Sequence, residues 1–232
     1  MPRKSSRILS VMVKKEATKL GADLCGIAPV ERFSAAPAGF HPADVYPGCR
    51  SVIVLGYRLP PVLLDVATPI PYTMVNYSVS VPHMDQIAVK LCNWLYDHGV
   101  NALPVPTDSP YEYWDADRKH GRGIISLKHA AVLAGLGEMG KNTLLITKEF
   151  GNMVTVGAVL ADVELEPDPI VKKGLCIERC RKCLDACPVG ALDGTTADQK
   201  KCREHAYYRN SRGFDITRCS ACRSVCPGRK KR

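Results

Sequence analysis

Eight of the chain's eleven cysteines fall between residues 176 and 226, and no other feature constrains the fold as tightly. Two runs share one spacing: Cys180-x2-Cys183-x3-Cys187-Pro188 and Cys219-x2-Cys222-x3-Cys226-Pro227. Each run has one further cysteine upstream, Cys176 and Cys202. Eight thiolates are the complement of two 4Fe-4S cubes, four to each.

The spacing has a geometric reason. Cysteines separated by two residues on a tight loop wrap adjacent iron corners of one cube, while the cysteine before the proline lies beyond a turn and faces away. In two-cluster ferredoxins that cysteine serves the other cube. The expected ligand sets are therefore Cys176, Cys180, Cys183 and Cys226, and Cys187, Cys202, Cys219 and Cys222. Cys176 departs slightly from the pattern, because three residues separate it from Cys180 where two are usual. Disulfides would need an oxidising compartment, and no export signal is visible. Zinc also accepts four thiolates, but the x2, x3, Pro order is the ferredoxin one.

At 232 residues the chain has room for one domain or two. Its apolar fraction of 46% suits a globular core, and no apolar run approaches a membrane span. The basic start, MPRKSSRILSVMVKKEA, has neither the apolar stretch of a signal peptide nor a twin arginine, so a cytoplasmic protein without a membrane partner is expected. The formal charge of +9 counts the ligand thiols as neutral. Eight thiolates on two oxidised cubes contribute about −4, leaving about +5. The basic tail Arg229-Lys230-Lys231-Arg232 reads as a solvated end, with RNA contact as the alternative.

Residues 6 to 20 read as an amphipathic helix with Ile8, Leu9, Met12, Val13, Ala17 and Leu20 on one face. Asp23 to Ala28 and Ser51 to Tyr57 read as strands, joined by a Pro- and Ala-rich loop. Residues 59 to 82, with five prolines, read as a long ordered loop. A helix over 84 to 98, a strand over 101 to 106 and a helix from Ser126 to Leu136 follow. Thr143 to Thr147 and Thr155 to Leu165 read as strands, and the domain boundary is expected near residue 168. Cys25, Cys49 and Cys92 stand apart from the block and read as core residues.

The turn Ala134-Gly-Leu-Gly-Glu-Met-Gly-Lys-Asn-Thr143 closes a helix and opens a strand. Gly135, Gly137 and Gly140 permit close backbone approach, and amides in such a turn can form an anion nest with Lys141 beside it. A plain helix-to-strand turn is the alternative. The wider segment AVLAGLGEMGKNTLLITKEFG, with GADLCGIAPVERF, PGCRSVIVLGY and the cysteine block, resembles two related families, the epoxyqueuosine reductases and the reductive dehalogenases. The resemblance spans nearly the whole chain. It implies an α+β fold: a nitroreductase-like domain at 1–168 holding cobalamin, then a ferredoxin-like domain at 169–232 with two 4Fe-4S clusters. It also implies that Gly135, Gly137, Glu138, Met139, Gly140, Lys141 and Asn142 line the corrinoid site. Electrons would come from a donor such as ferredoxin or flavodoxin and pass through the clusters to cobalt, which reduces a small or nucleoside-like substrate.

The chain departs from both families. Epoxyqueuosine reductases continue with helical repeats that help bind tRNA, whereas this chain ends six residues after Cys226, which makes tRNA the less expected partner. Glu138-Met139 in the turn is closer to the dehalogenases, whose export signal and greater length are missing here. The resemblance also suggests a proton donor. Asp108, in the Asp108-Ser109 pair, matches by order the aspartate of the epoxyqueuosine reductases; an Asx-turn or helix cap before Pro110 is its structural alternative. Dehalogenases use a tyrosine, for which Tyr72, Tyr77, Tyr111 and Tyr113 are placed, with Tyr77 chosen beside Asp108 as the catalytic pair. His129, near the glycine turn, is an axial-ligand candidate or a helical histidine with a local partner. Two other functions fit the same residues: an FMN-dependent reductase, and an electron carrier with no second cofactor. Anaerobically reconstituted protein is expected to hold about eight iron and eight sulfide per chain; zinc or disulfides in their place would contradict the reading.

Overall fold

Apolar runs buried on both faces build the central sheet, and helices cover it on either side. A computed structural model of the protein describes residues 3–172 and 174–229. Helix α1 (Arg3–Lys19) leads into strand β1 (Leu24–Pro29), and α2 (Pro42–Val45) precedes β2 (Ser51–Arg58). Helix α3 (Ile70–Thr73) runs through a π-helical turn (Met74–Val79) into α4 (Ser80–Asp97). Strand β3 (Ala102–Val105), the hairpin β4 (Tyr113–Asp115) and β5 (His120–Arg122), and α5 (Leu127–Leu133) come next. The small hairpin β6 (Glu138–Met139) and β7 (Leu145–Ile146) precedes β8 (Val154–Ala161). The cysteine segment carries α6 (Lys182–Asp185), α7 (Gln199–Ala206), the pair β9 (Tyr207–Arg209) and β10 (Asp215–Thr217), and α8 (Ala221–Ser224).

The main sheet has the order β1-β2-β8-β3, and every neighbouring pair is antiparallel. β2 lies inside it and is buried from Ser51 to Gly56, as its unbroken apolar run implies. Alternation along the strand separates two cores. Ile53 and Leu55 face α1 and α4, where Leu9, Val13, Ala17, Met84, Ile87, Leu91 and Leu95 close the layer. Val52 and Val54 face the other way, against Ala130, Ala131 and Ala134 of the α5 region. The result is a mixed α/β architecture of three layers. Among the described residues, no helix is long and apolar enough to cross a membrane.

Several sequence expectations need correction. Residues 59 to 82 are not a continuous loop: the chain is helical from Ile70 onward. Pro71 sits in the first turn of α3, where an amide has no intrahelical partner to lose, and Pro82 follows the π-helical turn that leads into α4. On α1 the buried stripe is Leu9, Val13 and Ala17, while Ile8 and Met12 face solvent at 57% and 39% exposure. Ser10 is buried instead, because its hydroxyl accepts from the Glu166 amide at 2.7 Å. The last main-sheet strand ends at Ala161, four residues before the expected limit of Leu165. There the Asp162 carboxylate turns to accept from the amide and the side chain of Asn101. The α5 helix stops at Leu133, not Leu136, and Ser126 sits at its N-cap without a capping hydrogen bond. Of the basic tail, Arg229 is not solvated: its guanidinium is buried and paired with Asp65 at 2.5 and 2.7 Å. Lys230, Lys231 and Arg232 lie outside the described residues.

Cys49 and Cys92 are buried, as expected for core cysteines. Burial pushes the Cys25 and Cys92 thiols up to about 12, so they are poor nucleophiles and poor ligands. Leu91 is fully buried between α4 and the sheet. Leu91→Ala is expected to cost about 2–5 kcal/mol, read as a lowered urea midpoint with an unchanged slope.

Candidate functional site

The structure sorts the eight cysteines into the two expected groups. Cys176, Cys180, Cys183 and Cys226 line one cavity, together with Ile146 and Leu175. Burial raises the Cys183 thiol, and the nearness of Cys226, Cys176 and Cys180 raises it further. In the second group burial pushes the Cys222 thiol up to about 11, with Cys202, Cys219 and Cys187 adding to the rise against the nearby Arg223. Cys202 behaves the same way, raised first by burial and then by Cys219 and Cys187. Each group thus consists of one complete cysteine run of three, less the Pro-preceding member, plus one upstream cysteine and the Pro-preceding cysteine of the other run.

The first four thiols line one space, and the second four are linked by their mutual effects on Cys202 and Cys222. Among the described residues, no three His, Cys, Asp or Glu side chains converge tightly enough to hold a single ion. The raised thiols are mutually repelling once ionised, a cost that a bound cationic centre removes.

The glycine turn lies against both groups. Glu138 Oε2 accepts from the amides of Gly174, Leu175 and Cys176 at 2.8, 2.8 and 3.3 Å, holding the backbone that leads into the first cysteine. Lys141 Nζ donates to the carbonyls of Glu178 and Cys180, and Asn142 Nδ2 donates to the Cys222 carbonyl at 3.0 Å. Met139 pairs with Leu145 in the small hairpin. Gly135 adopts a positive φ of 74°, and a Cβ there would meet the Pro169 carbonyl oxygen at 2.3 Å. At Gly137 a Cβ would meet the Ile146 carbonyl oxygen at 2.2 Å, and at Gly140 the Asn142 Oδ1 at 2.7 Å. In each case the close approach that glycine permits is made by the protein's own atoms.

Asp108 and Tyr77, placed far apart in the sequence, come to one wall. Tyr77 lies on the π-helical turn, a widened geometry frequent at functional sites. Its hydroxyl is 2.5 Å from that of Tyr207. Burial raises the Tyr77 phenol well above its usual range, with Tyr207, Tyr72 and Asp108 adding to the shift. Arg203 donates to the Tyr111 hydroxyl at 3.1 Å, and Tyr111 in turn points at Asp108 Oδ1, 3.4 Å away. The Arg203 guanidinium also lies over the rings of Tyr111 and Trp114, which stack on each other. Burial raises the Tyr207 phenol, while its bond to Tyr77 and the charge of Arg203 pull it down.

Helix α7 explains why this wall touches the second cysteine group. It carries Cys202 and Arg203 side by side, and Tyr207 follows its last turn. Gln199, at its start, holds Gly121 of β5 through both the amide and the carbonyl. Arg203 and Tyr207 were not singled out from the sequence. Their signal was position alone, immediately after a cluster cysteine. Tyr72 is buried near Tyr77, and Tyr113 packs beside His120 and Arg122. His129 has a local partner, with Nδ1 2.7 Å from Ser126 Oγ.

Thr107 Oγ1, next to Asp108, is buried with no hydrogen-bond partner among the described residues, and it lies over Gly157 of the main sheet. Met74 and Val79 expose apolar surface on the π-helical turn, at 50% and 43%. The docking bonds generate a prediction of their own. Glu138→Ala leaves three amides without an acceptor and is expected to speed limited proteolysis within residues 169–185 severalfold while the far-UV spectrum stays unchanged.

No family model matches the chain. An epoxyqueuosine reductase of Bacillus anthracis is 36% identical over 118 residues, 47% of this chain and 30% of the relative. A tetrachloroethene reductive dehalogenase of Desulfitobacterium hafniense is 31% identical over 194 residues, 83% of this chain and 31% of the relative. The chain therefore spans under a third of the length of these curated relatives. Among solved structures, epoxyqueuosine reductase with an epoxyqueuosine-modified tRNA-Tyr stem loop has a TM-score of 0.67 at 19% identity, covering 96% of this chain and 65% of that one. A reductive dehalogenase whose structure suggests a mechanism for B12-dependent dehalogenation has a TM-score of 0.70 at 18% identity, covering 97% and 32%. At such identities the structural likeness speaks for the fold alone. Taken together with the matches in sequence, it makes the chain a relative of the epoxyqueuosine reductases and reductive dehalogenases.

Proposed function

We propose that the protein is a corrinoid-dependent iron-sulfur reductase. In this reading residues 1–168 form a nitroreductase-like part with the corrinoid at the tyrosine–aspartate wall, and residues 169–232 form a ferredoxin-like part with two 4Fe-4S cubes. The substrate is small or nucleoside-like, and a ferredoxin or flavodoxin in the cytoplasm supplies electrons. The observation that carries the reading is the phenol pair Tyr77–Tyr207, 2.5 Å apart, on a wall that continues directly into Cys202. A corrinoid bound there would supply the reducing electrons, delivered one at a time through the cubes.

The chain's own residues supply the proton. Reduction of a carbon–halogen or carbon–oxygen bond consumes two electrons and one proton, and the leaving group departs as its anion. Tyr77 Oη gives its proton to the substrate atom that gains the electron pair. The phenolate left behind accepts a hydrogen bond from the Tyr207 hydroxyl and is reprotonated from solvent. Arg203 supports Tyr207 in that role by its positive charge. Asp108 is the second candidate donor, and Tyr111 links it to Arg203. Glu138, Lys141 and Asn142 hold the cysteine loops against the glycine turn, so they belong to the cofactor-holding residues of this site.

The sign of the pH dependence follows from the Tyr77 shift. The donor must carry its proton, so activity is present below its pKa and lost as pH rises through it. Burial raises that pKa above the ordinary value of about 10. Activity is therefore expected to show no loss from this group up to about pH 10.

The test uses protein carrying its clusters, loaded with hydroxocobalamin and reduced with titanium(III) citrate, with tetrachloroethene and a bromophenol as probe substrates. Base-off corrinoid bands and dehalogenation are expected, and Tyr77→Phe should lower turnover by about 10²–10⁴-fold with iron and corrinoid contents unchanged. Uptake of FMN in preference to the corrinoid, or full turnover in Tyr77→Phe, would overturn the assignment.

A further inference from the structure

The stretch that joins the last main-sheet strand to the cysteine segment runs along α1. Residues 164–168 belong to no helix or strand, yet every second one of them meets a polar side chain on one stripe of that helix. Ser6 Oγ donates to the Glu164 carbonyl at 2.8 Å, Ser10 Oγ accepts from the Glu166 amide at 2.7 Å, and Lys14 Nζ donates to Asp168 Oδ1 at 2.5 Å. The steps match. Four residues of helix rise about 6 Å and two residues of extended chain advance about 6.6 Å, so positions 6, 10 and 14 stay level with 164, 166 and 168. Arg7 adds an ion pair to Glu166 at 3.6 Å, exposed on both sides and therefore weak.

The stretch is anchored from other directions too. Leu165 is buried in the core shared with α1 and α4, and its amide donates to Ser51 Oγ at 3.0 Å. Asp168 closes the series. Its amide donates to the Ile27 carbonyl at 2.9 Å, its Oδ2 accepts from the Ile27 amide at 2.9 Å, and its carbonyl accepts from Arg32 at 2.7 Å. The next carbonyl, that of Pro169, lies against Gly135 where a Cβ would stand. The residue at the expected domain boundary is thus tied to α1, to β1 and to the turn Val30–Phe33 that follows β1.

We propose that α1 is a strap that sets where the cysteine segment begins. Its Ser6–Ser10–Lys14 stripe and residues 164–168 open and close as one unit, and Lys14 and Asp168 are positioning residues for the backbone that follows. Just beyond Pro169 that backbone gives its amides at Gly174, Leu175 and Cys176 to Glu138, and the strap holds them in register with this acceptor. Arg203 and Tyr207 come later on the same segment, so α1 helps to place them without touching them. The inference goes beyond the functional reading and does not depend on it, since no cysteine ligand, cofactor or substrate enters it.

Amide hydrogen exchange of the full chain tests the strap. In the unmodified protein the amides of Leu165, Glu166 and Asp168 are expected to exchange together. Lys14→Met removes the acceptor of none of them. It should nevertheless speed all three about tenfold, as the loss of one charge-assisted hydrogen bond would, and the amides of Gly174, Leu175 and Cys176 with them. Lys14→Arg should keep the slow rates. Ser10→Ala, which removes the acceptor of Glu166 alone, should give the same joint acceleration. The amides of Val52 to Leu55 in β2 should not change in any variant, which separates opening of the strap from loss of the whole fold. If Lys14→Met or Ser10→Ala does not fold, Ser6→Ala, at the outer end of the stripe, carries the same expectation. A variant that frees only the amide it touches, or that leaves the amides at 174–176 as slow as before, would overturn the proposal.

Discussion

Hydrogen bonds from side chains of the glycine turn to the backbone of the cysteine segment hold the two halves of the site together. The segment has little core of its own. Among the described residues after Asp168, the buried apolar side chains are Cys183, Ala191, Ala206 and Ile216. So small a core does not order a segment of this length unaided. Glu138, Lys141 and Asn142 compensate by satisfying amides and carbonyls on both cysteine loops, and charged partners make such bonds worth about 1.5–3 kcal/mol each. Metal–thiolate bonds would add the remaining order, as they do wherever ligation and folding are coupled.

The tyrosine–aspartate wall is assembled the same way, from pieces distant in the chain. Tyr77 comes from the π-helical turn before α4, Asp108 and Tyr111 from the loop after β3, and Arg203 and Tyr207 from the cysteine segment. The widened turn at Met74–Val79 carries Tyr77 to Tyr207, and the bond at Thr73, whose hydroxyl accepts from the Thr217 amide at 3.1 Å, ties the same stretch to β10. A wall built across both halves exists only when the cysteine segment is docked. Helix α7 therefore contributes residues both to the wall and to the second cysteine group.

Much of the framework was legible because its causes are local. The cysteine spacing was readable since one pattern of gaps occurs twice. The β2 run was readable since a strand buried on both faces is apolar throughout. The stretch from Ile70 to Val79 was not, because prolines that start helices have the same letters as prolines that break them. The Ile8 and Met12 face of α1 was misread for a related reason: periodicity gives an apolar arc but not its width, and the sheet covers only the part containing Leu9, Val13 and Ala17. The glycines were read as open to a ligand, whereas carbonyls of Pro169 and Ile146 occupy that space at Gly135 and Gly137.

By itself the sequence determined the two repeated cysteine runs, which the fold gathers into two interlocked sets of four, and the strands that carry the core. Both follow from short-range rules of spacing and hydrophobicity. Which charges face which thiols, and which phenols meet, was decided only by the tertiary structure. Tyr77 and Tyr207 are 130 residues apart, and Lys128 reaches Cys202 and Cys222 from another part of the chain. No local pattern records such neighbours, because a lysine, an arginine or a tyrosine is equally at home in solvent until packing brings it against a partner.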